Sequence, residues 1–192
     1  MDASPTTPDA LHSAPVIVIG GAPGSGKTSI GKLLARSTGA ALLDQDTLTN
    51  PLIAQIAALT GAGDDLDHPS LRGEVRAARY ACLRDAAAEI SGLGCPVVVV
   101  APFTSEIADP IAWQQFSGML SGTVLVAVSI DPAESLRRRR MRGLARDGTV
   151  AVGSGRAPGA EPGLHVDLVV DGAGFPEELA EQIRAVAELA RR

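Results

Sequence analysis

The stretch that most constrains this chain is Gly21-Ala22-Pro23-Gly24-Ser25-Gly26-Lys27-Thr28, followed by Ser29. Its spacing is G-x-x-x-x-G-K-[ST]. Before it runs Val16-Ile17-Val18-Ile19, short and β-branched, which reads as a buried parallel strand. After it, Ile30, Leu33 and Leu34 recur at helical spacing. A strand, a glycine loop and a helix in that order form a phosphate-binding P-loop. The glycines let successive N–H groups converge on an anion, and the helix adds its N-terminal partial charge. Lys27 is placed to reach the β- and γ-phosphates of a nucleotide, and the Thr28 hydroxyl suits Mg²⁺.

Composition narrows the rest. At 192 residues the chain fits one domain, expected over 15–192 after a disordered lead-in at 1–14. Aromatics make up only 3%, so the core must come from Val, Leu, Ile and Ala. The net charge of −5 does not point to nucleic acid. Lysine occurs only at 27 and 32. Cys82 and Cys95 read as reduced thiols, not as a disulfide or zinc site. Neither a signal peptide nor a membrane span is expected, which implies a cytoplasmic protein with no membrane partner.

Strands are predicted at about Val16–Ile19, Ala40–Leu43, Pro96–Ala101, Thr123–Ile130 and Leu164–Val170. Helices are predicted at about Lys27–Ser37, Pro51–Leu59, Ser70–Ser91, Pro110–Met119, from Pro132 with Asp131 as cap, and Pro176–Arg191. From Gly148 to Gly163 the Gly/Pro/Ala/Ser-rich chain reads as a mobile loop. Alternating strands and helices predict an α/β fold with a parallel sheet covered on both faces.

Asp44 and Asp46 follow the second strand, where α/β sheets bind ligands. If that segment is extended, both carboxylates face one side. One would hold Mg²⁺ and the other would accept the proton of a substrate hydroxyl. Arg72, Arg76 and Arg79 share a helix face and offer a clamp for the acceptor. Arg138, Arg142 and Arg146 form a stripe leading into the Gly/Pro loop, as the base of a lid would, where cations stabilise a transferring phosphoryl group. Arg137 and Arg139 read as solvated. His12, His68 and His165 have no metal-ligand partner at usable spacing.

Taken in order, these pieces resemble the small P-loop kinases of the nucleoside-monophosphate-kinase-like group. That group holds shikimate kinase, gluconate kinase, chloramphenicol phosphotransferase and many sequences called AAA family ATPase. The matching residues are Gly21–Thr28, Leu43–Asp46, Arg76–Tyr80, Gly94–Val100, Ile130–Glu134, Arg138 with Arg142–Asp147, and Asp167–Asp171. The resemblance implies a three-layer fold with a five-stranded parallel sheet of order 2-3-1-4-5 and a lid at about 138–163. It implies transfer of the ATP γ-phosphate, with Mg²⁺, to a hydroxyl of a small-molecule acceptor. It casts Asp44 on the Mg²⁺ side and Asp46 on the substrate side, with Arg76 and Arg79 beside the acceptor. Arg138 falls against the adenine, Arg142 and Arg146 in the lid, and Gly172 to Phe175 beside the adenine. Many relatives end the central strand with Asp; this chain has Ala101 there, so either the metal rests on Thr28 and Asp44 or catalysis is weak.

The leading expectation is an ATP:alcohol phosphotransferase for a small metabolite or antibiotic, monomeric or homodimeric. A nucleoside or nucleotide kinase, and a nucleotide-binding regulator with little turnover, are the alternatives.

Overall fold

The computed structural model describes residues 13–62, 68–69, 73–142, 165–174 and 176–189. The five parallel strands are β1 (Val16–Gly21), β2 (Ala41–Asp44), β3 (Val97–Val100), β4 (Thr123–Ser129) and β5 (Leu168–Asp171). They lie in the order β2-β3-β1-β4-β5, the order that the resemblance implied. The helices are α1 (Lys27–Thr38), α2 (Gln45–Thr60), α3 (Glu74–Gly92), α4 (Thr104–Ala108), α5 (Pro110–Ser117), α6 (Pro132–Arg142) and α7 (Pro176–Leu189).

The unbroken apolar runs of β1, β3 and β4 are explained by burial on both faces. Val16, Val18, Val97, Val99, Leu125 and Ala127 pack toward α3, α4 and α5, among Leu83, Ile107 and Phe116. Their neighbours Ile17, Ile19, Val98, Val100, Val124 and Val126 pack toward α1 and α7, among Leu34 and Ile183. Each fully buried aliphatic side chain contributes about 1.5–3 kcal/mol. Among the described residues no helix is long and apolar enough to cross a membrane.

Several boundaries differ from expectation. The second helix begins at Gln45 rather than Pro51, because Asp44 caps it: its carboxylate accepts the Thr47 N–H at 3.0 Å. Pro51 is therefore inside a helix, in the second turn. The short helix α4 was not expected from the sequence. The last strand starts at Leu168; ahead of it Asp167 is held by Leu125, whose N–H donates to Asp167 Oδ2 at 2.7 Å. His165 thus precedes the strand and meets the Glu106 carbonyl through Nε2 at 2.9 Å. Ala14, read as part of the lead-in, is buried, and its N–H donates to the Ser91 carbonyl at 2.9 Å. The expected mobile loop at 148–163, and with it Arg146, lies outside the described residues, as do Arg72 and His12.

Candidate active site

The glycine loop is built for close approach. Gly24 and Gly26 have φ of 81° and 92°, the left-handed region where a side chain would be strained. A Cβ on Gly24 would stand 2.9 Å from the Ser135 carbonyl oxygen of α6. Gly26 is the cap of α1, with no side-chain capping bond, and the first turn holds no carboxylate. The free N–H groups of that turn are left for an anionic ligand. Lys27 Nζ reaches back over the loop and donates to the Ala22 carbonyl at 3.3 Å. Ser25 Oγ is buried without a hydrogen-bond partner.

The Thr28 hydroxyl donates to Asp44 Oδ2 at 3.0 Å. Asp44 is only 8% exposed, and its other oxygen takes the Thr47 N–H and, at 3.3 Å, the Thr47 hydroxyl. Asp44 pairs in register with Val100, the residue before Ala101. Asp44 therefore ends the strand next to β3, one register step before buried Ala101. Thr28 and Asp44 are hard oxygen donors, the set Mg²⁺ takes alongside phosphate and water. Among the described residues no group of three or more His, Cys, Asp or Glu could hold a metal. A Mg²⁺ that relies on phosphate oxygens does not need one.

Asp46 does not share a face with Asp44. The extended geometry expected for this pair is overturned, because the chain is already helical at Gln45 and turns by about 100° per residue. The Asp46 side chain is 49% exposed and pairs with Arg79 Nη2 at 3.3 Å. Arg79 also donates to Thr49 Oγ1 at 2.8 Å and Asn50 Oδ1 at 2.7 Å. The arginine face of α3 divides. Arg79 turns to α2, whereas Arg76 lies over the Tyr80 ring at 4.7 Å and comes within 4.0 Å of Glu106 on α4.

On the far side of the loop an open cleft of about 860 Å³ is lined by Gly24, Gly26, Lys27, Ser29, Arg138 and Met141. Arg138 donates to Glu134 at 2.7 Å and to the Gly172 carbonyl at 2.8 Å. This joins α6 to the turn after β5, beside the glycine loop. Glu134 also takes both Nε and Nη2 of Arg137 at 2.7 Å. The hydrogen bonds from Arg137 and then Arg138 hold its carboxyl down to about 2. Arg142 closes α6, and its side chain is not among those described.

Arg139, read as solvated, is only 9% exposed. Its Cγ would lie 3.4 Å from a Cβ on Gly24, so its stem packs beneath the loop. Next to it the Ser135 hydroxyl donates to the Pro23 carbonyl at 2.8 Å. Glu134 could have been found from its spacing to Arg137 and Arg138. Ser135, Arg139, Tyr80 and Glu106 carry no such local signal.

Proteins of known structure share this fold. A gluconokinase from Sinorhizobium meliloti is 22% identical over 94% of this chain and 93% of its own, with a TM-score of 0.56. A sugar kinase from Janibacter sp. is 17% identical over 92% and 96%, with a TM-score of 0.66. The APS kinase of Mycobacterium tuberculosis, solved with AMPPNP and APS, is 19% identical over 94% and 99%, with a TM-score of 0.58. At these identities the likeness establishes the fold. No curated protein matches the chain by sequence. Residues 16–155 match the family model described as an AAA domain, and the chain, with its glycine loop and its 2-3-1-4-5 sheet, belongs to that family and has the fold of the nucleoside-monophosphate-kinase-like P-loop kinases.

Proposed function

We propose that the protein is an ATP- and Mg²⁺-dependent phosphotransferase that moves the γ-phosphate to a hydroxyl of a small metabolite or antibiotic, in the cytoplasm, as a monomer or homodimer. The observation that carries this is the Thr28–Asp44 bond beside the glycine loop, with Asp46 exposed on the first turn of the next helix. The kinases among the structural neighbours support the reaction class.

In this reading the loop N–H groups and Lys27 cradle the phosphates, and Arg138 flanks the base. Thr28 and Asp44 would hold Mg²⁺, which supplies positive charge to the β- and γ-phosphate oxygens when bound. Asp46, steadied by Arg79, takes the proton of the acceptor hydroxyl as its oxygen bonds to the γ-phosphorus. The bond from that phosphorus to the β–γ bridging oxygen breaks, and ADP leaves. Arg142 and Arg146 are the residues assigned to the developing charge from the lid side. Positioning and electrostatics supply most of the rate, since phosphoryl transfer asks for little covalent chemistry.

Asp46→Asn tests this. Transfer should fall by at least two orders of magnitude while nucleotide affinity stays within about threefold, the usual worth of a general base. Full transfer in this variant would remove Asp46 from the mechanism. A second reading, a nucleotide-binding regulator with little turnover, is favoured by Ala101, which is buried and apolar at the end of the central strand. Hydrolysis measured with and without sugars, nucleosides and aminoglycosides separates the two, because a regulator gains nothing from an acceptor.

A further inference from the structure

A second open groove, of about 700 Å³, lies between α3 and the α4–α5 pair. Its walls carry Arg76, Tyr80, Arg84, Glu106, Gln115 and Phe116. Tyr80 accepts the Phe103 N–H through its hydroxyl at 3.0 Å, directly after β3. The α4 helix that carries Glu106 rests on the strand that feeds the glycine loop. A Cβ on Gly20 would stand 2.6 Å from Ile107 Cδ1, and the Gly21 N–H donates to the Pro102 carbonyl at 3.0 Å.

Glu106 is the unexplained group. Its side chain is 13% exposed, and Oε2 is buried with no hydrogen-bond partner. Arg76 stands at 4.0 Å, too far for a direct bond. Burial pushes the carboxyl above its ordinary range. A buried oxygen left unsatisfied destabilises the fold, and a ligand donor would remove that penalty.

Building on the phosphotransferase reading, we propose that this groove receives the acceptor and that Glu106 reads it, taking a hydroxyl hydrogen of a polyhydroxylated, neutral or anionic molecule through Oε2 while Arg76 faces the same ligand. Two guanidinium groups against one carboxyl among the lining residues disfavour a cationic acceptor, although Arg84 also pairs with Asp85 at 2.8 Å. The aromatic rings do not offer a stacking face for a nucleobase. Tyr80 and Phe116 are 7% and 5% exposed, Arg76 covers Tyr80, and Trp113 stacks on Phe116.

Trp113 is the only tryptophan, so its fluorescence reports on Phe116 and the groove. The full chain is titrated with glucose, gluconate, inositol, adenosine and kanamycin in the presence of a non-hydrolysable ATP analogue, and phosphate transfer to each is assayed separately. The expected result is saturable binding of at least one polyol, weakened tenfold or more in Glu106→Ala and less in Glu106→Gln. Ala112→Phe, which fills the groove from the α5 wall without adding a tryptophan, should also abolish it. Nucleotide affinity is measured in every variant to confirm that the fold is intact. Polyol binding within twofold of the parent in both Glu106→Ala and Ala112→Phe would overturn the assignment. So would binding of adenosine or kanamycin alone, or of none of the five probes. Transfer to a polyol that is indifferent to Glu106 would remove this groove and keep the kinase. Polyol binding that depends on Glu106 without any transfer would keep the groove and remove the kinase.

Discussion

The hydroxyl of Thr28 donates to Asp44 Oδ2 across 3.0 Å, and the other oxygen of Asp44 caps the helix that follows. One carboxylate therefore joins the start of α1 to the start of α2.

Its two duties can be separated. Asn caps a helix about as well as Asp, so Asp44→Asn should leave the melting temperature nearly unchanged. It should also lower Mg²⁺ affinity in the presence of nucleotide by on the order of 10–100-fold, as changes beside a metal commonly do. Mg²⁺ titration followed by nucleotide fluorescence measures this. Unchanged Mg²⁺ dependence would assign the metal elsewhere.

Gly172 has no room for a side chain, since a Cβ there would fall 1.8 Å from the Ser25 carbonyl oxygen. Gly172→Ala must displace the glycine loop, and nucleotide affinity should drop tenfold or more. Gly39→Ala is the contrast. Its φ is 69° and nothing lies within 4 Å, so it should cost only about 1–2 kcal/mol of backbone strain and leave affinity intact. Calorimetric titration of both variants is the measurement.

Arg138 bridges Glu134 and the Gly172 carbonyl. Arg138→Met should weaken nucleotide binding by about tenfold, the scale of one lost charge-assisted hydrogen bond. The Glu134 carboxyl is held down to about 2 from an ordinary 4.5. A depressed carboxyl helps the folded state above its ordinary value, and that help is lost as pH falls from 4.5 to about 2. NMR titration of Glu134 in the parent and in Arg137→Ala should show the midpoint rise, because Arg137 is the larger cause.

Glu106 has the opposite sign. Burial raises its carboxyl, while its own backbone N–H and Arg76 pull it down. Tyr80 lies on the adjoining helix, and His165 meets the Glu106 carbonyl. Below the ordinary carboxyl range both folded and unfolded states are protonated, and no penalty exists. As pH rises through that range, ionisation favours the unfolded chain. Glu106→Gln should therefore raise the melting temperature at pH 7–8, with the gain vanishing near pH 4. A gain that is independent of pH would point to packing instead of charge.

What the sequence made legible was local. Gly24, Gly26 and Lys27 act through neighbours within a few residues, so spacing alone located them. Asp44 was placed by the rule that ligands meet the carboxyl ends of strands. The shared face of Asp44 and Asp46 does not form, because that rule says nothing of where the strand stops, and Asp44, by capping, starts a helix at once. Arg76 and Arg79 do lie on adjoining parts of one helix face, but the face borders two elements and each arginine meets a different one. Charge repulsion alone predicts a solvated Arg139, whereas its stem fills space under Gly24 that only the folded chain creates. Glu106 becomes notable only when α4 is set against α3.

The residue that walls the glycine loop, Gly172, lies beyond residue 155, where the match to the family ends. So do β5 and α7, which supply Val170, Ile183 and Val186 to the core under α1. The family span alone therefore omits part of the surroundings of the glycine loop and of α1. A chain ended at residue 155 would retain the whole signature from Gly21 to Thr28 yet lack the wall and floor that hold it in shape, and recognition by pattern would no longer imply recognition of ligand.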